Sequence, residues 1–542
     1  MARAAKWRLP FLRLVRRSMS LLALLPNLAR LGRAGFVMAR EGALRLADPI
    51  ELPPSVRALI RIGRLFEKRS AKDGAEGLAR ALQQLGPSYV KLGQFLATRP
   101  DVVGLEVAHD LERLHDRVEP FPQDVAEAAV AEALGAPVSE RFLVFGPAVA
   151  AASIAQVHRA TIRTVDGFER DVAVKVLRPG VARRFQRDLR AFFGVARWVD
   201  KHVPKARRLK PVEVVDTLAR SVSIEMDLRL EAAALSEIAE NTAADPGFRV
   251  PSIDWERTAR GVLTLDWVDG VKLADHEALA AAGHDLPALG RHLMQTFLRH
   301  AMRDGFFHAD MHPGNLFVDA AGAIVAVDFG ITGRLGKKER RFLAEILHGF
   351  IVRDYRRIAE VHFEAGYVPP DESVEEFARA LRAIGEPIHS RTADQISMAK
   401  LLTLLFEVTE LFRMQTRPEL LMLQKTMVVV EGVARSLDPK LDMWRTAEPV
   451  VREWIERNLG PIGIAETAND EVRKLVLGVS RLPELLLRVE RTSIEMEEVV
   501  RGGLSYSEDS IREIVKGVQR ATIIGSLALG VVAAVLVAIV LW

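Results

Sequence analysis

His308-Ala309-Asp310-Met311-His312-Pro313-Gly314-Asn315, with Asp328-Phe329-Gly330 a short way downstream, is the stretch that decides the fold. Its skeleton is D-x-x-x-x-N followed by DFG. Phosphoryl transfer needs a carboxylate beside the attacking group and an amide that can hold a metal ion. It also needs a second carboxylate that fixes Mg²⁺ against nucleotide phosphates. Asp310, Asn315 and Asp328 offer these in order, with the alternating segment 316–327 between them reading as a β-hairpin. The parts taken singly are bland, since Asp-Phe-Gly is a common tripeptide and a lone histidine is usually structural. The ordered set at this spacing is hard to produce by chance and points to a nucleotide–metal site. A hydrolytic metal centre on His308, Asp310 and His312 competes with it. No further ligands of matching spacing complete that centre.

Working upstream, Val172-Ala173-Val174-Lys175-Val176 reads as a strand, which places Lys175 where a lysine meets phosphates from a fixed position. An edge-strand lysine in water is the lesser alternative. Before it, Ala148-Val149-Ala150-Ala151-Ala152-Ser153-Ile154-Ala155-Gln156-Val157 stands where a glycine-rich phosphate loop belongs. Small side chains let backbone approach phosphate, but alanine does not readily take positive φ, so nucleotide is expected to be held differently from a protein kinase. Glu225, Asp227 and Glu231 fall in one helical pattern running from Pro211 to about Asn241. Asp227 and Glu231 are four apart and are expected to share a face, so either could pair with Lys175. Without Lys175 all three would read as solvated surface acids.

Working outward again, the layout is α+β. The expected segments are a basic stretch at 1–50, a helical extension at 51–140, a small β-rich lobe at 141–270, a helical lobe at 271–400, a further helical region at 401–520 and a tail at 521–542. Strands are expected at 141–145, 157–164, 172–177, 250–254, 262–268, 316–318 and 324–327. This is a protein-kinase-like two-lobed arrangement.

Half the chain, 49%, is hydrophobic, net charge is +4 and cysteine is absent. The charge is too small to argue for nucleic acid, and disulfides, zinc–thiolate sites, iron–sulfur clusters and thiol catalysis are excluded. The first forty residues are rich in arginine with no acid before Glu41, and the apolar run Leu21–Leu25 stops at Pro26 without a cleavage site. That argues against a signal peptide and for a basic amphipathic segment on an anionic membrane, or a helix docked on the body. Ala521–Trp542 carries no charge and, as a helix, would be roughly 33 Å long, enough to cross a bilayer core. Lys516 and Arg520 precede it, so a single-pass inner-membrane placement with a cytoplasmic body is expected. Ser526, Gly530 and Ala534 recur every four residues, a stripe that can support a homo-oligomer and that an Ala/Gly-rich span also produces by chance.

Together these residues resemble the UbiB family of atypical kinases, linked to ubiquinone biosynthesis, over about residues 80–340. Lys91-Leu92-Gly93-Gln94 matches the family's KxGQ signature and Glu225-Met226-Asp227 its ExD motif. The resemblance implies that Val149–Val157 is the Ala-rich nucleotide loop, Lys175 the phosphate lysine and Glu231 its partner. Asp310 would be the catalytic Asp, with Asn315 and Asp328 the metal ligands. Apart from the resemblance, Lys91 is either a solvated surface lysine or one that enters the cleft and offsets part of the charge of Glu225 and Asp227, which would make Lys91, Gln94, Glu225 and Asp227 an autoinhibitory, regulatory set. The resemblance further implies ATP and Mg²⁺ as cofactors, a membrane setting with lipid and hydrophobic quinone precursors nearby, and ubiquinone-biosynthesis enzymes as partners. Two features depart from the pattern. One apolar span is apparent where some relatives carry two, and no A-P-E or activation loop follows Asp328-Phe329-Gly330, which favours a small-molecule, lipid or intramolecular target. The expected function is a membrane-anchored ATP-dependent kinase or ATPase. A nucleotide-binding pseudokinase scaffold is the alternative. A ring hydroxylase lacks any flavin fingerprint, iron triad or haem ligand set.

Overall fold

The computed structural model describes residues 24–47, 60–68, 74–97, 103, 105–112, 119–203, 207, 210–389, 408, 411–414 and 418–460. The extension comprises helices α1 (Leu24–Arg40), α2 (Gly74–Leu85), α3 (Pro87–Ala97) and α4 (Leu105–Glu112). Gly86, at φ +97, ends α2 and Pro87 opens α3, the glycine-stop, proline-start junction that left-handed geometry and a missing N–H favour. A Cβ at Gly86 would meet the Arg184 guanidinium, which caps α2 by donating to the Leu85 carbonyl at 3.0 Å.

Next come α5 (Gln123–Leu134), β1 (Val144–Ala151), β2 (Ala155–Arg163), β3 (Glu169–Leu177), α6 (Val181–His202), α7 (Pro211–Glu225), α8 (Leu228–Thr242), β4 (Phe248–Arg249) and β5 (Val262–Asp266). The first sheet has the order β1-β2-β3-β5, all antiparallel. Period-two alternation buries Val172, Val174 and Val176 with Val130 of α5, Ile162 and Val262. It therefore puts Lys175 on the opposite face, between Val157 and Leu263 in register.

Beyond the sheet run β6 (Val271–Lys272), α9 (Leu286–Arg299), β7 (Phe306–His308), β8 (Leu316–Val318), β9 (Ile324–Ala326) and β10 (Thr332–Arg334). The helices α10 (Lys337–Val352), α11 (Tyr355–Glu364), α12 (Val374–His389), α13 (Pro418–Leu437) and α14 (Met443–Leu459) follow. Two small sheets, β4-β9-β8-β6 and β10-β7, frame the loop at 309–315. The largest apolar core joins Leu228, Leu235 and Leu263 to Phe297, Phe307, Phe329, Leu423 and Val430. A second joins Leu82, Leu85 and Tyr89 of the extension to Phe185, Leu189, Leu218, Val222 and Ile154. Contacts divide the chain into Met1–Ile455 and Glu456–Trp542.

The structure corrects several expectations. The helix over Pro211–Asn241 is two helices, broken at Met226 and Asp227, where Asp227 turns extended (φ −133) and caps α8 by accepting the Arg229 amide. The strand expected over 141–145 begins only at its end. A helical turn ends at Arg141 and β1 starts at Val144, taking in Val149, Ala150 and Ala151. Residues 250–254 supply only an isolated Ile253–Leu265 bridge beside β5, while β6 and the β7–β10 pair were not foreseen. Helix α6 was missed although Phe185, Leu189, Phe192 and Ala196 mark a 3.6-residue apolar stripe. Segment 521–542 lies outside the described residues, and among those described no helix is long and apolar enough to cross a membrane.

Candidate active site

Lys175 is where the site closes. Its ammonium donates to both Glu231 carboxylate oxygens, at 2.8 and 3.0 Å, and to Asp328 Oδ1 at 3.0 Å. β3 holds the lysine on the face opposite its buried valines. Glu231 stands on the first turn of α8, which that same face packs against through Leu228, Ala232 and Leu263. Burial penalises all three charges. For Lys175, Asp328 and Glu231 outweigh burial and raise its pKa well above the lysine range. For Asp328, Lys175 outweighs burial and holds the carboxyl well below the usual carboxylate range. Glu231 is the most enclosed, and burial lifts it to about 7 against the pull of Lys175.

That raised value has a consequence for stability. Because the folded-state pKa exceeds the ordinary 4.5, the contribution is complete below about 4.5 and is lost as pH rises through about 7. Wild type should therefore lose roughly 1 kcal/mol of unfolding free energy per pH unit from about pH 5 to 7, relative to Glu231→Gln. Denaturant titrations of both proteins across that range measure the two slopes. Equal slopes would show Glu231 ionised throughout.

Asp328 occupies left-handed backbone at φ +61, a conformation aspartate tolerates better than most residues and one that stores strain. Its neighbours hold it there. The Val327 amide donates to the Asn315 carbonyl at 2.9 Å, and the buried Phe329 ring lies 4.5 Å from the His308 ring. His308 is buried, and burial lowers its pKa, favouring the neutral ring. Nδ1 accepts the Asp310 amide at 3.1 Å and Nε2 faces the Val327 carbonyl at 3.3 Å. Asn315 Nδ2 donates to the Asp310 carbonyl at 3.1 Å and lies 3.4 Å from its carboxylate. His312 caps the following turn by accepting the Gly314 amide. His308 is thus spent on backbone at both nitrogens and His312 at Nδ1, and among the described residues no His/Asp/Glu group is arranged to hold a metal by itself. The hydrolytic arrangement on His308, Asp310 and His312 finds no support.

The Ala-rich segment is a β1–β2 hairpin whose tip is Ala152, Ser153 and Ile154, with the Ala152 amide donating to the Ala155 carbonyl at 2.8 Å. Ser153, Ile154, Ala155 and Gln156 are buried, while Val149 and Ala150 are exposed. Gln156 faces inward. Its amide exchanges hydrogen bonds with the Phe121 backbone at 2.8 and 3.3 Å and meets His158 at 2.8 Å. Arg178, which the sequence reading overlooked, ties the tip down by donating to the Ala152 carbonyl at 3.2 Å and the Glu119 carbonyl at 2.6 Å. The hairpin is braced from behind, which leaves backbone and small side chains on its outer surface.

Lys91 on α3 forms a 2.8 Å ion pair with Glu225 at the end of α7, the two side chains only 13% and 10% exposed. Gln94, three residues along α3, is half-buried. Asp227 does not join them or share a face with Glu231; as the α8 cap it takes a bidentate Arg229 at 2.9 and 2.6 Å.

A small antiparallel sheet carrying a lysine, a helix carrying its glutamate, and a catalytic-type loop followed by Asp-Phe-Gly define a kinase-like fold. Residues 113–362 match the model of the ABC1 atypical kinase-like domain, and residues 381–442 that of the UbiB helical domain. A protein of Marinobacter nauticus described as "Probable protein kinase UbiB" is 38% identical over 467 residues, covering 85% of this chain and 84% of that protein. The chain belongs to the UbiB family of atypical kinases. The solved complex of Rv3197 with erythromycin from Mycobacterium tuberculosis is similar over 73% of this chain and 97% of that chain, at 25% identity and a TM-score of 0.48.

Proposed function

We propose that the protein is a membrane-anchored, Mg-ATP-dependent atypical kinase or ATPase that supports ubiquinone biosynthesis. The observation that carries the ATP-dependent part is the Lys175 ammonium shared between Glu231 and Asp328. A buried carboxylate steadies the lysine and a second, ionised one stands beside it, the pairing a nucleotide site uses to hold phosphates and a cation. The remaining donors suit Mg²⁺, which takes oxygen ligands and needs few from the protein. Asp328 is ionised, and Asn315 directs its NH₂ to Asp310, leaving its amide oxygen for a cation. Bound Mg²⁺ would supply charge neutralisation between the phosphates. Lys175 would bind phosphate, Glu231 would keep that lysine in place, and Asp310 would accept a proton from the attacking hydroxyl or water. Anchoring is assigned to 521–542, with lipid and hydrophobic quinone precursors as neighbours on the cytoplasmic side.

Phosphate release from Mg-ATP by purified protein tests the enzymatic reading, and binding without release would leave a pseudokinase scaffold. Asp328→Asn should weaken Mg-dependent nucleotide affinity by about tenfold or more, because the carboxylate's charge is lost while asparagine still tolerates left-handed backbone. Isothermal titration with and without Mg²⁺ measures this. Unchanged Mg-dependent affinity would remove Asp328 from the metal site.

The same reading gives Lys91, Gln94 and Glu225 a regulatory role. The extension lies against the nucleotide hairpin through the apolar cluster that contains Tyr89, Ile154, Val222 and Met226. The Lys91–Glu225 pair sits at the break from which α8, with Glu231, departs.

A further inference from the structure

The UbiB helical domain reaches back to the catalytic loop through a buried hydroxyl as well as apolar packing. Thr426, on α13 and 1% exposed, places its hydroxyl 3.1 Å from the carbonyl of Ala309, the residue between His308 and Asp310. The same hydroxyl lies 2.8 Å from the Met422 carbonyl one turn back, the ordinary acceptor for a helical threonine. Ala309 is therefore a second acceptor of one buried donor, reached across 117 positions of sequence. The surroundings fit a seat. Ala309 and Met311 are buried in the same apolar core as Leu423 and Val430 of α13, and α13 also packs against β10, which pairs with β7 just before the loop. On the other side, the Ala309 amide donates to the Ile331 carbonyl at 3.1 Å. The peptide groups flanking Ala309 are thus held from two directions, immediately before the Asp310 side chain emerges.

We infer that Thr426 is a positioning residue: its hydroxyl fixes the Ala309 carbonyl and so sets the direction from which Asp310 enters the site. The inference rests on the ATP-dependent reading above for its consequence on turnover. Its structural part stands apart from that reading, which allows the two to be tested separately. A buried carbonyl that loses a donor reorients toward another, and a shift of about 1 Å at a reacting group can cost up to about a hundredfold in rate.

The test compares full-length wild type, Thr426→Val and Thr426→Ser in detergent, by amide hydrogen exchange and by steady-state Mg-ATP turnover. Valine keeps the branched shape and removes the donor; serine restores the donor. In Thr426→Val, exchange should rise in the peptide covering residues 308–315 with α13 itself unchanged, kcat should fall about tenfold or more, and KM for ATP should stay within about twofold. Thr426→Ser should return both readouts most of the way. Unchanged exchange at 308–315 in the valine variant would overturn the seat. A general rise across α13 in that variant, shared by serine, would overturn positioning in favour of plain packing, as would loop exchange that rises with kcat unaltered. If wild type itself shows no turnover, the ATP-dependent reading falls, while the exchange comparison still decides whether Thr426 holds the loop.

Discussion

Asp310→Asn should leave Mg-nucleotide affinity within about twofold of wild type and lower turnover by two to four orders of magnitude, the span typical for loss of a general base. The separation follows from where the atoms are. On the proposed reading nucleotide would be gripped by Lys175, Asp328 and the hairpin, and the hydrogen bonds of Lys175 go to Glu231 and Asp328, not to Asp310. What Asp310 does contribute to its loop survives the change. Its carbonyl still accepts Asn315 Nδ2, and its amide still donates to His308 Nδ1. The neutral His308, fully buried and lowered by that burial, cannot replace the lost base because both its nitrogens face backbone groups. Steady-state phosphate release alongside calorimetric binding checks the split. Turnover close to wild type would withdraw the catalytic assignment of Asp310, and a matching loss of affinity would recast it as a ligand.

How much of this was readable beforehand depends on the distance over which each feature is determined. Asp310, Asn315 and Asp328 are legible because a loop, a tight hairpin and a left-handed turn are local, and local geometry writes itself into spacing. Lys175 is legible through period two, since the valines on either side must be buried together. The partner of Lys175 was open between Asp227 and Glu231 from helical spacing alone. That spacing assumed a continuous helix through Met226, where the apolar pattern gives no warning of the break. Asp227 is instead a cap, a role any Asp before a helical run can take. The Ala-rich segment forms the β1–β2 hairpin, and its bracing by Gln156 and Arg178 depends on residues 119–121 lying behind it. Thr426 belongs to the same class. Its acceptor is on a loop that only the packed core brings near, and no periodicity in α13 distinguishes it from other buried threonines.

Lys91→Ala should raise Mg-ATP turnover or self-phosphorylation while destabilising the protein, and the destabilisation should largely disappear in Lys91→Ala/Glu225→Gln. Removing one member of a nearly buried ion pair leaves the other charge uncompensated, at a cost of about 3–5 kcal/mol. Glu225, 10% exposed and 2.8 Å from the ammonium, is in that position. Asp227 is not, because Arg229 neutralises it within its own turn. Turning Glu225 neutral as well removes the orphaned charge, and the coupling should amount to about 1–3 kcal/mol, well outside additive behaviour. The fold should persist in both variants, since Leu82, Leu85 and Tyr89 keep the extension packed on Phe185, Leu189 and Leu218 whatever happens at residue 91. Activity responds for a different reason. Glu225 is the last residue of α7, and Met226 and Asp227 join it directly to α8, on whose first turn Glu231 holds Lys175. On the proposed regulatory reading, the extension that grips Glu225 would restrain the helix carrying the lysine's partner, and releasing the grip would free it. Denaturant unfolding and phosphate release, measured on the two single variants and the double, decide the matter together. Additive losses of stability with turnover and nucleotide affinity untouched would reduce the pair to a buried structural contact and leave the extension without a regulatory hold on the site.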